Sequence, residues 1–377
     1  MRNLRFTGAL ALASTAAIAL GACGSSDDTS TSAAGTSAAV EAGAATTRRD
    51  AAGVTAGFAG LWNANPTVKQ SQDAWQAAIR ARGGTPTLLQ ADPRDPVNTL
   101  ITNMDQLTSQ RVRASGFYPI DPNALSAPTR RAMDAGIPVF AFEESRTPAT
   151  QSVHLGREVA ARLVARALCG KFPDGGKVIY GGYGQPDLTL TTYQRNVIAE
   201  IEACSGGRLE VAATFDNRTD DVAGALAPAN AALQRVPDAD AIVAYSDVTA
   251  IGASRAATQL GKRDQLTIIG FNLAQDGIDA VRNGQLDYSL LFPVTLMSQY
   301  VANSQIDHVN GRRVPRFATF WPQCYGRETI DELPSPADQL AAVAEGRSLL
   351  VEPARQVSTS DREMVRTAPS ALTECPL

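Results

Sequence analysis

The chain has 377 residues, 44% of them hydrophobic and 19% charged, with a formal net charge of −4. That length suits two or three domains with a sizeable core, which excludes a wholly disordered chain. The negative balance fits poorly with work on nucleic-acid phosphates, and 2 histidines leave little room for a zinc site or imidazole acid–base chemistry.

Arg2 and Arg5 precede a nearly continuous apolar run from Phe6 to Leu20, shorter than the ~20 residues that a membrane span needs. Leu20-Gly21-Ala22-Cys23 follows and resembles a bacterial lipobox. It implies a lipoprotein signal peptide over 1–22 and a lipid on Cys23. Residues 23–52 are rich in Ser, Thr, Ala and Gly and cannot bury enough surface to offset their ordering entropy, so they read as a flexible tether. The expected location is extracytoplasmic, with the membrane reached only through the lipid.

From Val54 the pattern alternates short apolar runs with amphipathic stretches. Strands are expected at Val54–Gly60, Thr85–Gln90, Val112–Phe117 and Ile137–Phe142, with helices at Thr67–Arg82, Pro96–Ser109 and Ala124–Ala135. The order then repeats. Helices are expected at Gly156–Cys169, Thr191–Cys204, Val222–Arg235 and Val248–Leu260, and strands at Lys177–Gly181, Leu209–Phe215, Ala241–Tyr245 and Leu266–Gly270. A helix at Gln275–Asn283, a strand at Tyr288–Leu291, a helix at Thr295–His308 and a strand at Arg316–Phe320 follow. One helix, Ala337–Glu345, is expected in the remaining tail. This alternation predicts an α/β protein with two doubly wound parallel-sheet halves meeting near His154. Ligands of such sheets bind beyond the carboxyl ends of the strands, which points to the loops after Gly60, Phe117, Phe142, Gly181, Tyr245 and Gly270.

An oxidising compartment favours disulfides. Four cysteines remain once Cys23 is set aside, and they allow three connectivities. Cys169 and Cys204 each end a predicted helix beside one strand, and the favoured pairs are Cys169–Cys204 and Cys324–Cys375. The second pair would staple the tail, limiting hinge opening or protecting it from proteolysis.

The motifs carry little catalytic chemistry. Gly181-Gly182-Tyr183-Gly184 follows a strand, but Asp187 stands where a dinucleotide fingerprint needs its third glycine. Ser254 lies within a predicted helix rather than on a nucleophile elbow. His154 and His308 read as structural or exposed, and no cluster has metal-ligand spacing. No enzyme activity, cofactor or metal is expected.

Several stretches together resemble the type I periplasmic binding proteins of the ribose-binding kind. They are Asn65-Pro66, Asp73-Ala74, Tyr118-Pro119-Ile120-Asp121-Pro122-Asn123-Ala124, Ala135-Gly136-Ile137-Pro138-Val139, Asp247-x-x-Ala250-Ile251-Gly252-Ala253, Ile269-Gly270-Phe271-Asn272 and Ile278-x-x-Val281-x-x-Gly284. The resemblance runs from about Val54 to Thr329. It implies two lobes joined by three hinge crossings, near His154, Leu291 and Tyr325. The N-terminal lobe would take 53–153 plus 292–324, the C-terminal lobe 154–291 plus 325–335, and the tail 336–377.

The resemblance also implies a ligand set. Asn65 keeps the asparagine of the first loop, while Thr67 and Val68 replace the usual aromatics and Trp62 is a substitute. Asp121 follows the third strand, and Glu143-Glu144 replaces an Asp-Arg pair. Arg195 matches a widespread arginine, with Tyr193 where sugar binders often have another. Asp220 falls near a stacking position, Ser246 replaces an asparagine, Asn272 replaces an aspartate, and Phe292 or Leu291 replaces a glutamine. The implied function is capture of a small polar solute, a sugar or polyol, by a monomer that delivers it to an ABC import permease. The alternatives are a cationic or amino-acid-like solute, or a ligand sensor of the same fold. A sugar-responsive repressor would need a basic helix-turn-helix where this chain has its export signal.

Overall fold

The computed structural model describes residues 49–142, 147–350, 356–358 and 375. The expected signal peptide, Cys23, nearly all of the tether, Glu143 and Glu144 lie outside the described residues.

The first lobe opens with β1 (Thr55–Gly60), α1 (Pro66–Ala81), β2 (Thr85–Gln90) and α2 (Pro96–Ser109), followed by β3 (Ser115–Phe117), α3 (Ser126–Asp134), β4 (Val139–Phe142) and β5 (Gln151–Leu155). The second holds α4 (Arg157–Lys171), β6 (Gly176–Gly182), α5 (Leu188–Ser205), β7 (Leu209–Asp216), α6 (Val222–Arg235), β8 (Ala241–Ala244), α7 (Asp247–Gln259), β9 (Thr267–Asn272), α8 (Gln275–Arg282) and β10 (Tyr288–Leu291). The chain returns to the first lobe as α9 (Val294–Val309) and β11 (Phe317–Phe320), then enters the second sheet as β12 (Gln323–Gly326). Last come α10 (Pro336–Ala344) and β13 (Gln356–Ser358).

Among the described residues the first sheet has the order β13-β11-β5-β4-β3-β1-β2 and the second β12-β10-β9-β8-β6-β7. Neighbours are parallel except β13 on β11 and β12 on β10, which close one edge of each sheet as antiparallel strands. Central strands such as β4 and β8 are buried along their whole length, as sheets covered on both faces require. Local chemistry starts the helices. Pro66 occupies the first turn of α1 while the Asn65 side chain accepts the Thr67 N–H, and Asp187 accepts the Leu190 N–H at the start of α5. At the other end of α5, Gly206 takes a left-handed φ of 62° and stops the helix.

The predicted elements stand close to the observed ones, with three strands missed. Strand β5 reads Gln-Ser-Val-His-Leu and lacks apolar patterning, yet all five residues are buried. Tertiary neighbours bury it: Gln151 Nε2 donates to the Pro315 carbonyl (2.8 Å), and the His154 ring lies 5.6 Å from Phe317. Burial holds His154 neutral, with its pKa lowered to about 4. Strands β12 and β13 are short edge strands whose pairing is set by long-range register.

The expected lobe boundaries shift with these strands. His154, expected to open the second lobe, pairs within the first sheet, so the first crossing comes after Leu155. The second crossing is at Phe292–Pro293. The third lies at Trp321–Pro322, so Gln323 and Cys324, expected in the first lobe, belong to the second sheet. Helix α10, expected in a separate tail, packs against α1 and α9. The first and third crossings touch. Gly156 N–H donates to the Phe320 carbonyl (2.8 Å), and a Cβ on Gly156 would lie 2.3 Å from Trp321 Cε3. Both favoured disulfides are present, Cys169–Cys204 and Cys324–Cys375, with Cα separations of 6.3 and 5.2 Å.

Candidate functional site

The loops beyond the carboxyl ends of the strands face one another across the cleft and enclose a cavity of about 550 Å³. The first lobe contributes Leu61, Trp62 and Asn65 after β1, Arg94 after β2 and Tyr118 after β3. The second contributes Arg157 at the start of α4, Tyr183 and Asp187 after β6, Asp220 after β7, Tyr245 after β8 and Asn272 at the end of β9. Phe292 adds a ring from the second crossing.

Two wall residues meet across the cleft. Asn65, fixed as the N-cap of α1, donates through Nδ2 to Asp220 Oδ2 at 3.0 Å. Asp220 adopts a left-handed φ of 55°, which turns its carboxylate inward, and Tyr245 Oη donates to Oδ1 at 2.5 Å. Burial raises the Asp220 pKa to about 6, against the opposing pull of the Tyr245 and Asn65 donors. Burial and the Asp220 charge in turn push the Tyr245 phenol upward, so it stays a donor.

The aromatic side chains are layered. Tyr183 and Tyr245 lie with ring centroids 5.5 Å apart, and Tyr118 rests on Phe142 at 4.9 Å. The Arg157 guanidinium sits 5.6, 5.4 and 5.5 Å from the ring centroids of Tyr193, Phe271 and Phe292. That aromatic bed suits a buried guanidinium.

Of the residues expected at the site, Trp62, Asn65, Asp220, Asn272 and Phe292 are brought together on the wall. The other described ones stand elsewhere. Tyr193 is 1% exposed and packs behind Arg157. Arg195 points outward from α5 and donates to Thr192 Oγ1 at 3.3 Å. Ser246 is the buried N-cap of α7, accepting the Thr249 N–H. Asp121 organises its own turn, accepting from the Asn123 and Ala124 N–H groups at 2.9 and 3.2 Å. The first turn of α5, at Thr189 and Leu190, lines the cavity, while Tyr193 and Arg195, further along the helix, do not.

Sequence reasoning missed Arg157, Tyr183, Tyr245, Tyr118, Arg94 and Asp187 as wall residues. A signal existed for the tyrosines: each follows directly, or within one residue, the last position of a parallel strand, where this fold places ligands. Arg157 had none, since its role depends on three rings brought together from α5, β9 and the second crossing.

The site is built for binding. Aromatic faces, an amide, a carboxylate acceptor and guanidinium donors surround a space of small-ligand size. Among the described residues no group of three His, Cys, Asp or Glu side chains could hold a metal ion, and no helix is long and apolar enough to cross a membrane.

Comparison with known proteins bears on the family and the fold. Residues 57–313 match the model of the periplasmic binding protein domain. The chain is 24% identical over 231 residues to the ribose import binding protein of Bacillus subtilis, covering 60% of this chain and 72% of that protein. Its fold is similar to a Mycobacterium smegmatis protein in complex with β-D-fucofuranose (TM-score 0.69, 18% identity, covering 81% of this chain and 99% of that one). It is also similar to an ABC transporter solute binding protein of Bacillus halodurans with bound myo-inositol (TM-score 0.67, 19% identity, covering 75% and 98%).

Proposed function

This chain belongs to the periplasmic binding protein domain family, whose members bind solutes and are not enzymes, and we propose that it captures a sugar or polyol between its lobes and delivers it to an ABC import permease. The observation that carries the proposal is the cross-cleft cavity, with Asn65 of one lobe and Asp220 of the other meeting at its wall. Aromatic faces would cover the C–H surfaces of a sugar, while Asp220, Asn272 and Arg157 would satisfy hydroxyls. Closure would exclude water and strengthen each of these polar contacts. A ligand that touches both lobes favours the closed arrangement because only that arrangement completes its contacts.

A net charge close to balance on the wall favours a neutral polar ligand over a cation. The described lining includes Arg94, Arg157 and Arg218 against Asp187 and Asp220. The permease would read the closed form. The protein would act outside the cytoplasm as a monomer, anchored through a lipid on Cys23. A Cys23→Ala variant then carries no lipid by mass spectrometry, and lipid on that variant would sink the anchor assignment.

The test of the ligand class is a thermal-shift screen with D-ribose, D-allose and myo-inositol against amino acids and polyamines, at ~1 mM. A micromolar ligand at that excess adds about 4 kcal/mol. A shift with a sugar or polyol supports the proposal. A shift confined to amino acids or polyamines overturns it.

A further inference from the structure

The turn after β9 is conformationally unusual. Asn272 has a φ of 120° and Leu273 a φ of 53°, and neither is glycine. Such conformations persist only where surrounding groups enforce them. Asn272 lines the cavity.

A buried carboxylate lies under this turn. Asp247, the first residue of α7, is 2% exposed. Its Oδ2 accepts the Leu273 backbone N–H at 2.6 Å and its Oδ1 accepts the Ser289 hydroxyl at 2.5 Å. The backbone around it is shaped to admit it. A Cβ on Gly270 would lie 2.2 Å from Oδ1, and one on Gly277 would lie 2.1 Å from Oδ2. Ser289 belongs to β10, which runs into the second crossing, and there the Phe292 N–H donates to the Asn272 carbonyl at 3.1 Å. One side chain thus ties α7, the turn after β9 and the strand leading to Phe292.

We infer that Asp247 is a positioning residue of the ligand cavity: it holds the strained Asn272–Leu273 turn, and so sets Asn272 and Phe292 on the wall, without touching ligand itself. The inference rests on the cavity being the ligand site. Ionisation of this carboxylate then matters to binding. Burial raises its pKa to about 7; the Ser289 hydroxyl and the Leu273 and Phe271 backbone groups oppose the rise, and Asp276 of α8 is the charged group that adds to it. Burial also raises Asp276. As pH falls through about 7, Asp247 takes up a proton, its charge-assisted bond from Leu273 weakens, and the turn loosens.

The experiment is amide NMR on the intact protein across a pH titration, which needs no ligand. In the wild type, the Leu273 N–H and the Asn272 side-chain amide move together with a midpoint near pH about 7. In Asp247→Asn neither titrates, and the Asn272 signals are displaced. Should that variant fail to fold, Ser289→Ala serves instead: it removes one donor, so the shared midpoint moves to higher pH. Asn272 signals in Asp247→Asn that coincide with the wild type, a Leu273 N–H that does not titrate, or a midpoint unmoved in Ser289→Ala would each overturn the inference. Calorimetry with D-ribose and myo-inositol completes the test. Where either binds the wild type, Asp247→Asn weakens it about tenfold or more, and unchanged affinity refutes a positioning role. If neither sugar binds while the two signals titrate together, the inference stands and the sugar assignment falls.

Discussion

Asp220 offers the most quantitative handle on the site. Its pKa is raised from 3.8 to about 6, so the folded protein binds this proton more tightly than the unfolded chain does. The stabilisation from that proton is therefore complete below 3.8 and is lost as pH rises through about 6. A rise of about 2 units corresponds to about 3 kcal/mol, a ceiling because solvent reaching the cavity screens part of the charge. Asp220→Asn keeps the shape and can still accept from Asn65 Nδ2, but it abolishes the titration. The difference in stability between variant and wild type should then move in the variant's favour by up to about 3 kcal/mol between pH about 4 and about 8. For a body of this size that is a relative gain of up to about 5 °C in Tm. The assay is the Tm of both proteins, without ligand, across that pH range. Parallel Tm profiles would refute the reasoning, because they would mean that Asp220 titrates alike in folded and unfolded chains. The same variant should bind its ligand more weakly at neutral pH, since a charged acceptor has been removed. A site that gains stability when disarmed is the pattern expected where binding groups are held desolvated.

Trp62→Ala should lower ligand affinity by about tenfold by calorimetry at a smaller cost to the unliganded Tm than truncation of a fully buried core residue, because the ring is only partly buried, packing on the first lobe's core and lining the cavity. The double variant Cys324→Ser/Cys375→Ser should lose about 4 kcal/mol in the chain-entropy account, given a sequence separation of 51. Limited proteolysis should then cut its tail faster than in the wild type; equal resistance and equal Tm would show that the staple carries no load. Gly156→Ala should destabilise by about 1–3 kcal/mol, because its Cβ would meet the Trp321 ring where the first and third crossings touch. An unchanged Tm would mean that the ring moves aside freely.

The alternation of strands and helices was legible because each parallel strand is an apolar run and each covering helix has one apolar face. Strand β5 was not, since its Gln, Ser and His are buried only by virtue of neighbours such as Pro315 and Phe317. At the site, Trp62, Asn65, Asp220, Asn272 and Phe292 were named through the resemblance to binding proteins of the ribose kind, and all five line the cavity. Tyr193 and Arg195 do not line the cavity, and which part of α5 faces it cannot be read along the chain. Arg157 escaped notice because nothing local marks a guanidinium that rests on rings from three separate elements.

The amino-acid sequence by itself determined the two-lobed α/β architecture and the strand ends at which a ligand would be met. Those properties follow from hydrophobic periodicity, which acts over a few residues. Only the tertiary structure decided that Asn65 meets Asp220 across the cleft, that Arg157 is part of the wall, and that Asp247 underlies the Asn272 turn. Each of these joins residues far apart in the chain, and their energetics come from burial, a property of the packed molecule rather than of any segment of it.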